Sequence, residues 1–310
     1  MATATATATG PPGRRVLRRM ARSENAVGLG FVTPATVLIG IFGLLPILWS
    51  GLLSFEKSDL LTPETPWVGL KNYRQAAKDP IFHQALQHTV VYTALFVPAT
   101  MIVGLLIAVA LNRKVRGISV YRTAAYVTMA VSTINEALIF MWLFEPSFGV
   151  VNAGLDKVGI PQQQWLSNPD EALYVIVAMT VWGWTGFAVV VYLAALQGVP
   201  QDILDAAAID GARPMSVFRT ITLPLLSPAS LFLAVWLSIN AFQLFDEVYF
   251  TTRGGPLHST TVIVYYLWDQ AFQQFNAGYA AALAYVLFMV MLVITFIQFR
   301  LGARFVHYSR

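Results

Sequence analysis

Residues Ala280 to Phe299 read AAALAYVLFMVMLVITFIQF, with no Asp, Glu, Lys or Arg. An α-helix needs about 20 predominantly apolar residues to cross the hydrocarbon core of a bilayer. This run meets that need, and five others do the same: Phe31–Leu53, Thr89–Leu111, Tyr121–Phe144, Leu173–Ala195 and Ala229–Phe250. Only 12% of the residues are charged, about half the share in a soluble domain. The spacing therefore predicts an all-α integral membrane protein with six transmembrane helices. Pro34, Pro46 and Pro98 fall inside apolar runs, where neighbouring helices can satisfy the freed carbonyls.

Six spans place both termini on one side. Arg14, Arg15, Arg18, Arg19 and Arg22 precede the first span, and Arg113, Lys114, Arg116 and Arg122 follow the second. Arg213 and Arg219 follow the fourth, and Arg300, Arg304 and Arg310 follow the sixth. Basic residues are retained on the cytoplasmic side, so both tails and the 200–228 connection are expected in the cytoplasm. The expected organisation is a tail over 1–29, largely disordered, a six-helix membrane domain over 30–299 and a second tail over 300–310. The first apolar run, about 23 residues, exceeds the 7–15 of a signal-peptide core and reads as a retained span.

The missing chemistry narrows the function. The chain has no cysteine, which removes disulfides and thiolate sites. His83, His88, His258 and His307 form no i,i+4 pair, so no metal site is expected. No lysine follows a glycine, so the chain has no phosphate-binding loop of the GK[ST] type. The net charge of +4 is scattered over span ends rather than gathered in a stripe, which argues against nucleic acid.

The 200–228 connection is the most punctuated stretch. Pro200 and Asp202 open a short helix over Gln201–Ile209, the acid suiting the positive end of the dipole. Gly211 stops it, Pro214 starts a second piece, and Leu223-Pro224 and Pro228 end that one. Ile203, Leu204, Ala207 and Ala208 make one apolar stripe; Val217, Phe218 and Ile221 make another. Three readings follow from the residues: a connector resting on lipid headgroups, an intramolecular packing element, or a docking element for another protein.

Asp205-Ala206-Ala207-Ala208-Ile209-Asp210-Gly211-Ala212, then Phe218, Ile221, Leu223 and Pro224, resembles the EAA loop of carbohydrate-uptake permeases of bacterial ABC importers. Asp205 stands where that family has glutamate. Val68-Gly69-Leu70-Lys71-Asn72-Tyr73, Ala85-Leu86-Gln87-His88-Thr89, Glu145-Pro146 with Gly149 and Asn152, and Phe245-Asp246-Glu247-Val248-Tyr249 followed by Gly254-Gly255-Pro256 resemble further segments of it. Met129 departs from a proline common in the third span, and Asn135-Glu136 maps onto none of these motif segments. The resemblance implies a type I ABC importer permease fold and half of a translocation pore for a sugar or sugar-like solute. It also implies that the 200–228 loop, through Asp205, Ala206, Ala207, Asp210, Gly211, Phe218, Leu223 and Pro224, is a coupling helix seated on an ATPase. The implied partners are a second homologous permease, two ATP-binding cassette ATPases that carry ATP and Mg, and an extracytoplasmic solute-binding protein or lipoprotein. The chain itself is then no enzyme and holds no cofactor.

Polar residues inside spans are candidates for the solute path, because lipid exposure is costly. Asn240, Gln243, Asp246 and Glu247 recur at spacings that place Asn240, Gln243 and one acid on a single helical face. The resemblance implies solute contact by Asn240 and Gln243; the alternative is hydrogen bonding between helices. Trp182, Trp184 and Thr185, beside Gly183 and Gly186, offer indole faces for a sugar ring or simple small-residue packing. Glu136, mid-span with Thr133 and Asn135, faces the pore, a partner permease or an internal polar group. Within the same family, sn-glycerol 3-phosphate or a glycerophosphodiester is the alternative cargo, although Arg253 is the one candidate in this half of the pore for the fixed cation that a phosphate would want. A stand-alone secondary transporter is the rival of another class; inverted repeats would mark it, and the two halves show none.

Overall fold

A computed structural model of the chain describes residues 24–59, 61, 64–113 and 116–305. Among these residues the structure is helical, with one isolated bridge between Glu56 and Trp67 and no strand. Val27–Leu53, Pro80–Leu111, Ala172–Gln197 and Ala277–Gly302 are long and apolar enough to cross a membrane. Two bent pairs, Ile118–Ala130 with Thr133–Leu143 and Pro214–Leu225 with Ser227–Phe242, bring the total to six when each is taken as one span.

Helix α1 (Glu24–Ile39) passes through a π-helical turn at Gly40–Leu44 into α2 (Leu45–Leu53). Residues 24–29, expected in a disordered tail, are helical, while residues 1–23 and their arginines lie outside the described residues. The short α3 (Lys71–Ala76) leads into α4 (Pro80–Leu111), which starts well before the expected Thr89. The cause is local: the Asp79 carboxylate accepts from the N–H groups of Ile81 and Phe82 at 2.9 and 3.2 Å, and Pro80 occupies the first turn, where its missing N–H costs nothing. Tyr266 and Tyr279 donate to the other Asp79 oxygen at 2.5 and 2.6 Å. Burial alone would push this carboxyl up, but the two phenols and the backbone donors of Phe82 and Ile81 hold it below the ordinary 3.8.

Helices α5 (Ile118–Tyr126) and α6 (Thr133–Leu143) form the third span with a bend of 101°. The expected straight helix over Tyr121–Phe144 is broken because Val131 and Ser132 are extended, with ψ of 126° and 149°. Helix α7 (Val150–Asp156) precedes α8 (Ala172–Gln197), the fourth span. Helices α9 (Gln201–Ile209), α10 (Pro214–Val217) and α11 (Leu223–Leu225) lead to α12 (Ser227–Phe242). The expected fifth span to Phe250 is also interrupted: α12 ends at Phe242, Phe245 takes φ −145° and ψ −58°, and a separate α13 (Asp246–Thr251) follows. Helix α14 (Ile263–Trp268) precedes α15 (Ala277–Phe305), which carries helix through residues 300–305 of the expected C-terminal tail.

The core forms where α4 and α8 cross, with α12 against both. A Cβ placed on Gly104 would lie 2.5 Å from Ala188 Cβ, so the two backbones meet at a small-residue contact of the kind that drives association in lipid. Tyr92 and Phe96 stack at 5.3 Å beside it, with Ile176, Met179, Val189, Leu233 and Leu237 fully buried around them. Helices α1 and α2 contribute nothing to this core: the Val27–Leu53 span buries no residue. Its α2 half packs on α15, where the Tyr285 hydroxyl donates to the Ile47 carbonyl and lies against Gly51.

Candidate functional site

The polar residues that the motifs single out take two different roles. One group ties loops together at the end of the bundle where α8 begins. Asn72 donates to the carbonyls of Ser54 and Glu56, both at 2.9 Å. Asn152 donates to the carbonyls of Pro146 and Gln163 and accepts from the Trp165 indole at 2.8 Å. Thr89 accepts from the Ile263 N–H at 3.0 Å, and His88 Nδ1 lies 3.1 Å from the Thr261 carbonyl. The Gly254-Gly255-Pro256 loop is held by Thr260 and Thr261, which donate to the carbonyls of Gly255 and Gly254 at 2.7 and 3.1 Å. This loop and Glu145-Pro146 line the largest of the cavities described here, about 460 Å³.

The 200–228 loop stands beyond the other end of α8. Helix α9 spans the expected residues, and its ending is built from two bonds. Gly211, at φ +72°, donates to the Ala208 carbonyl at 3.1 Å, and Ala212 donates to Ala207 at 3.0 Å. This is a Schellman ending, in which glycine is favoured because a Cβ strains the left-handed backbone. Ala207 is buried, while Asp205, Ala206, Asp210 and Gly211 are exposed. Gln201 donates to Asp205 at 3.0 Å. Phe218 opens a π-helical turn over Phe218–Thr222, and Leu223 and Pro224 start α11. The expected stripe of Ile203, Leu204, Ala207 and Ala208 divides: Leu204 and Ala207 turn inward, and Ala208 is exposed. Ile203, Ile209 and Met215 leave an uncovered apolar surface, Ile209 being 86% exposed.

The second group surrounds two adjoining cavities at the level of the spans. One, of about 210 Å³, is lined by Thr133, Glu136, Gly183, Trp184 and Glu247 among others. The next, of about 190 Å³, shares Thr133, Trp184 and Glu247 and adds Tyr92, Asn240, Gln243 and Asp246. The breaks in the third and fifth spans create this arrangement. Turning the chain at Val131–Ser132 brings the first turn of α6 to the cavity, and stopping α12 at Gln243 lets Asp246 and Glu247 enter on α13. Asn240, Gln243, Asp246 and Glu247 thus meet at one cavity, but from two helices rather than along one helical face.

Glu136 is 6% exposed, and its Oε1 has no hydrogen-bond partner. Its carboxyl lies flat on Gly183: a Cβ there would be 2.5 Å from Oε2 and 2.6 Å from Oε1. Trp184 lines both cavities, its indole edge-on to Phe96 at 6.5 Å and to Phe187 at 5.9 Å. Trp182 instead lies 5.8 Å from Phe140, and the Thr185 hydroxyl donates to the Val181 carbonyl at 2.6 Å; neither lines the two cavities. Thr128 and Phe187, which do line the first, carry no signal in the sequence that separates them from other span residues.

Residues 100–307 match the family model described as binding-protein-dependent transport system inner membrane component. The chain is 36% identical over 275 residues to the lactose transport system permease protein LacF of Rhizobium radiobacter, covering 87% of this chain and 91% of LacF. It is 31% identical over 282 residues to the sn-glycerol-3-phosphate transport system permease protein UgpA of Yersinia pestis bv. Antiqua, covering 90% and 94%. In fold it resembles a chain of a bacterial alginate ABC transporter in complex with an alginate pentasaccharide-bound periplasmic protein. That match has a TM-score of 0.83 at 20% identity and covers 96% of this chain and 100% of the other.

Proposed function

The chain belongs to the family of binding-protein-dependent transport system inner membrane components, and from that premise we propose that it forms half of the pore of an ATP-driven importer for a sugar or sugar-like solute. It is a multi-pass membrane protein and a permease subunit of an ABC importer. In this reading its tails and the 200–228 loop are cytoplasmic. A homologous permease completes the pore, two ATPase subunits bind ATP and Mg, and an extracytoplasmic binding protein delivers the solute.

The observation that carries the reading is the α9 lever. A short helix with a fixed Schellman ending exposes Ile203 and Ile209, while Met215 stays uncovered beside it. Apolar surface clustered on a rigid element outside the spans suits a protein partner, and the ATPase is the partner that the family implies. Asp205, Ala206, Asp210 and Gly211 lie on the exposed part of that element. Phe218, Leu223 and Pro224 hold the return to α12, and Ala207 anchors the helix inward.

The solute assignment rests on the joined cavities. Amide and carboxyl groups at Asn240, Gln243, Asp246 and Glu247 offer donors and acceptors to hydroxyls, and Trp184 offers an aromatic face. Among the described residues no lysine or arginine lines either cavity, which favours a carbohydrate without negative charge over sn-glycerol 3-phosphate. Purifying the tagged chain with its genomic neighbours and reconstituting it tests the whole reading. An ATPase should copurify, and uptake should stop when ATP is withdrawn; uptake indifferent to ATP would restore the secondary-transporter alternative.

A further inference from the structure

Glu136 is a buried acid outside the motif segments quoted above, and nothing in the transport cycle above uses it. Three observations meet at this residue. Its side chain is 94% buried by the 6% exposure given above, and Oε1 lacks any hydrogen-bond partner. The carboxyl is seated on Gly183, where any larger residue would collide with both oxygens. Glu247, on a different helix, lines the same cavity. A carboxyl in a site of low polarity needs a proton, a cation or several donors to offset its lost hydration. Two carboxyls on one cavity need this more, since like charges disfavour each other. No lysine or arginine lines the cavity among the described residues, so a cationic group on a bound solute can supply the compensation.

We propose that Glu136 and Glu247 form a solute subsite that takes the ammonium group of an amino-substituted sugar, with the ring against Trp184, and that turns away anionic sugars. This rests on the pore assignment made above and specifies its substrate class. An ammonium group donates charge-assisted hydrogen bonds to both carboxylates and removes their repulsion. A neutral hydroxyl donates more weakly to the same oxygens, and a uronate or phosphate meets uncompensated negative charge. Gly183 sets the geometry, because its missing Cβ leaves the Glu136 carboxyl room to seat against α8 on the cavity that Glu247 also lines.

The test uses the complete transporter in nanodiscs and three probes with one ring in common: glucosamine, glucose and glucuronate. Calorimetric titration should show glucosamine binding about tenfold more tightly than glucose, the step that one charge-assisted contact supplies, and no binding of glucuronate. Glu136→Gln should bring the glucosamine-to-glucose ratio close to one without preventing assembly. If that variant does not assemble, Glu247→Gln carries the same expectation. Equal binding of all three sugars, binding of none, or an unchanged ratio in an assembled variant overturns the subsite. ATP-dependent uptake of glucose by the same preparation, with no preference for the amine, overturns the subsite alone; uptake independent of ATP overturns the pore reading beneath it.

Discussion

Asn152 shows what a motif residue does at the smallest scale. Its amide closes a ring of bonds among the Pro146 and Gln163 backbones and the Trp165 indole. Asn152→Ala strands those groups, and a lost buried partner costs about 1–3 kcal/mol; thermal unfolding of the purified complex measures the loss. Asp79 acts similarly but titrates. Its carboxyl is held below 3.8 by Tyr266 and Tyr279, against the upward push of burial. A depressed carboxyl stabilises above its unfolded value and loses that contribution as pH falls through the folded one. Wild-type stability should therefore drop below about pH 4, and Tyr266→Phe with Tyr279→Phe should flatten that drop. The pattern of Asn72, Asn152 and Thr89 is legible in the sequence. That these residues tie loops, whereas Glu136 faces a cavity, is not, because partners far along the chain leave no local trace.

Elements carry the switch from pattern to mechanism. The helix over Gln201–Ile209, its stop at Gly211 and its restart at Pro214 are all legible, since each depends on a residue's own backbone preference. The interruptions at Val131–Ser132 and Gln243–Phe245 are not. Both fall inside runs that are apolar on average, and hydropathy averaged over a span responds to composition rather than to backbone direction. The polar Ser132-Thr133 pair followed by Glu136 is the one local hint of a helix start in the third span. Gly211→Pro should abolish ATP-driven uptake while the spans still insert: proline cannot reach φ +72° and has no N–H for the Ala208 carbonyl. Solute-stimulated ATPase activity that survived intact would separate this loop from coupling. Gly104→Leu tests another element contact, because its side chain must enter the space of Ala188. Overpacking of this kind costs about 1–3 kcal/mol, read as a lowered melting temperature.

At the scale of the whole molecule, the six spans and their packing give a scaffold whose orientation is open to direct measurement. The chain has no native cysteine, so single introduced thiols report their surroundings without interference. Ile209→Cys should react with an impermeant maleimide only from the cytoplasmic side, and Lys157→Cys only from the opposite side. The reverse labelling pattern would invert the topology that the arginines imply. Burial in this scaffold is uneven. The α4–α8 crossing is closed by Gly104 on Ala188, whereas Val27–Leu53 buries nothing and is pinned near Ile47 by Tyr285. A helix of 27 residues is about 40 Å long, more than the roughly 30 Å of hydrocarbon it crosses. A lean takes up the excess length. Packed on α15 along α2 and uncovered along α1, the helix has its free end in the α1 half, whose inclination follows bilayer thickness: steeper in thick membranes, flatter in thin ones, while the crossing of α4 and α8 keeps its angle.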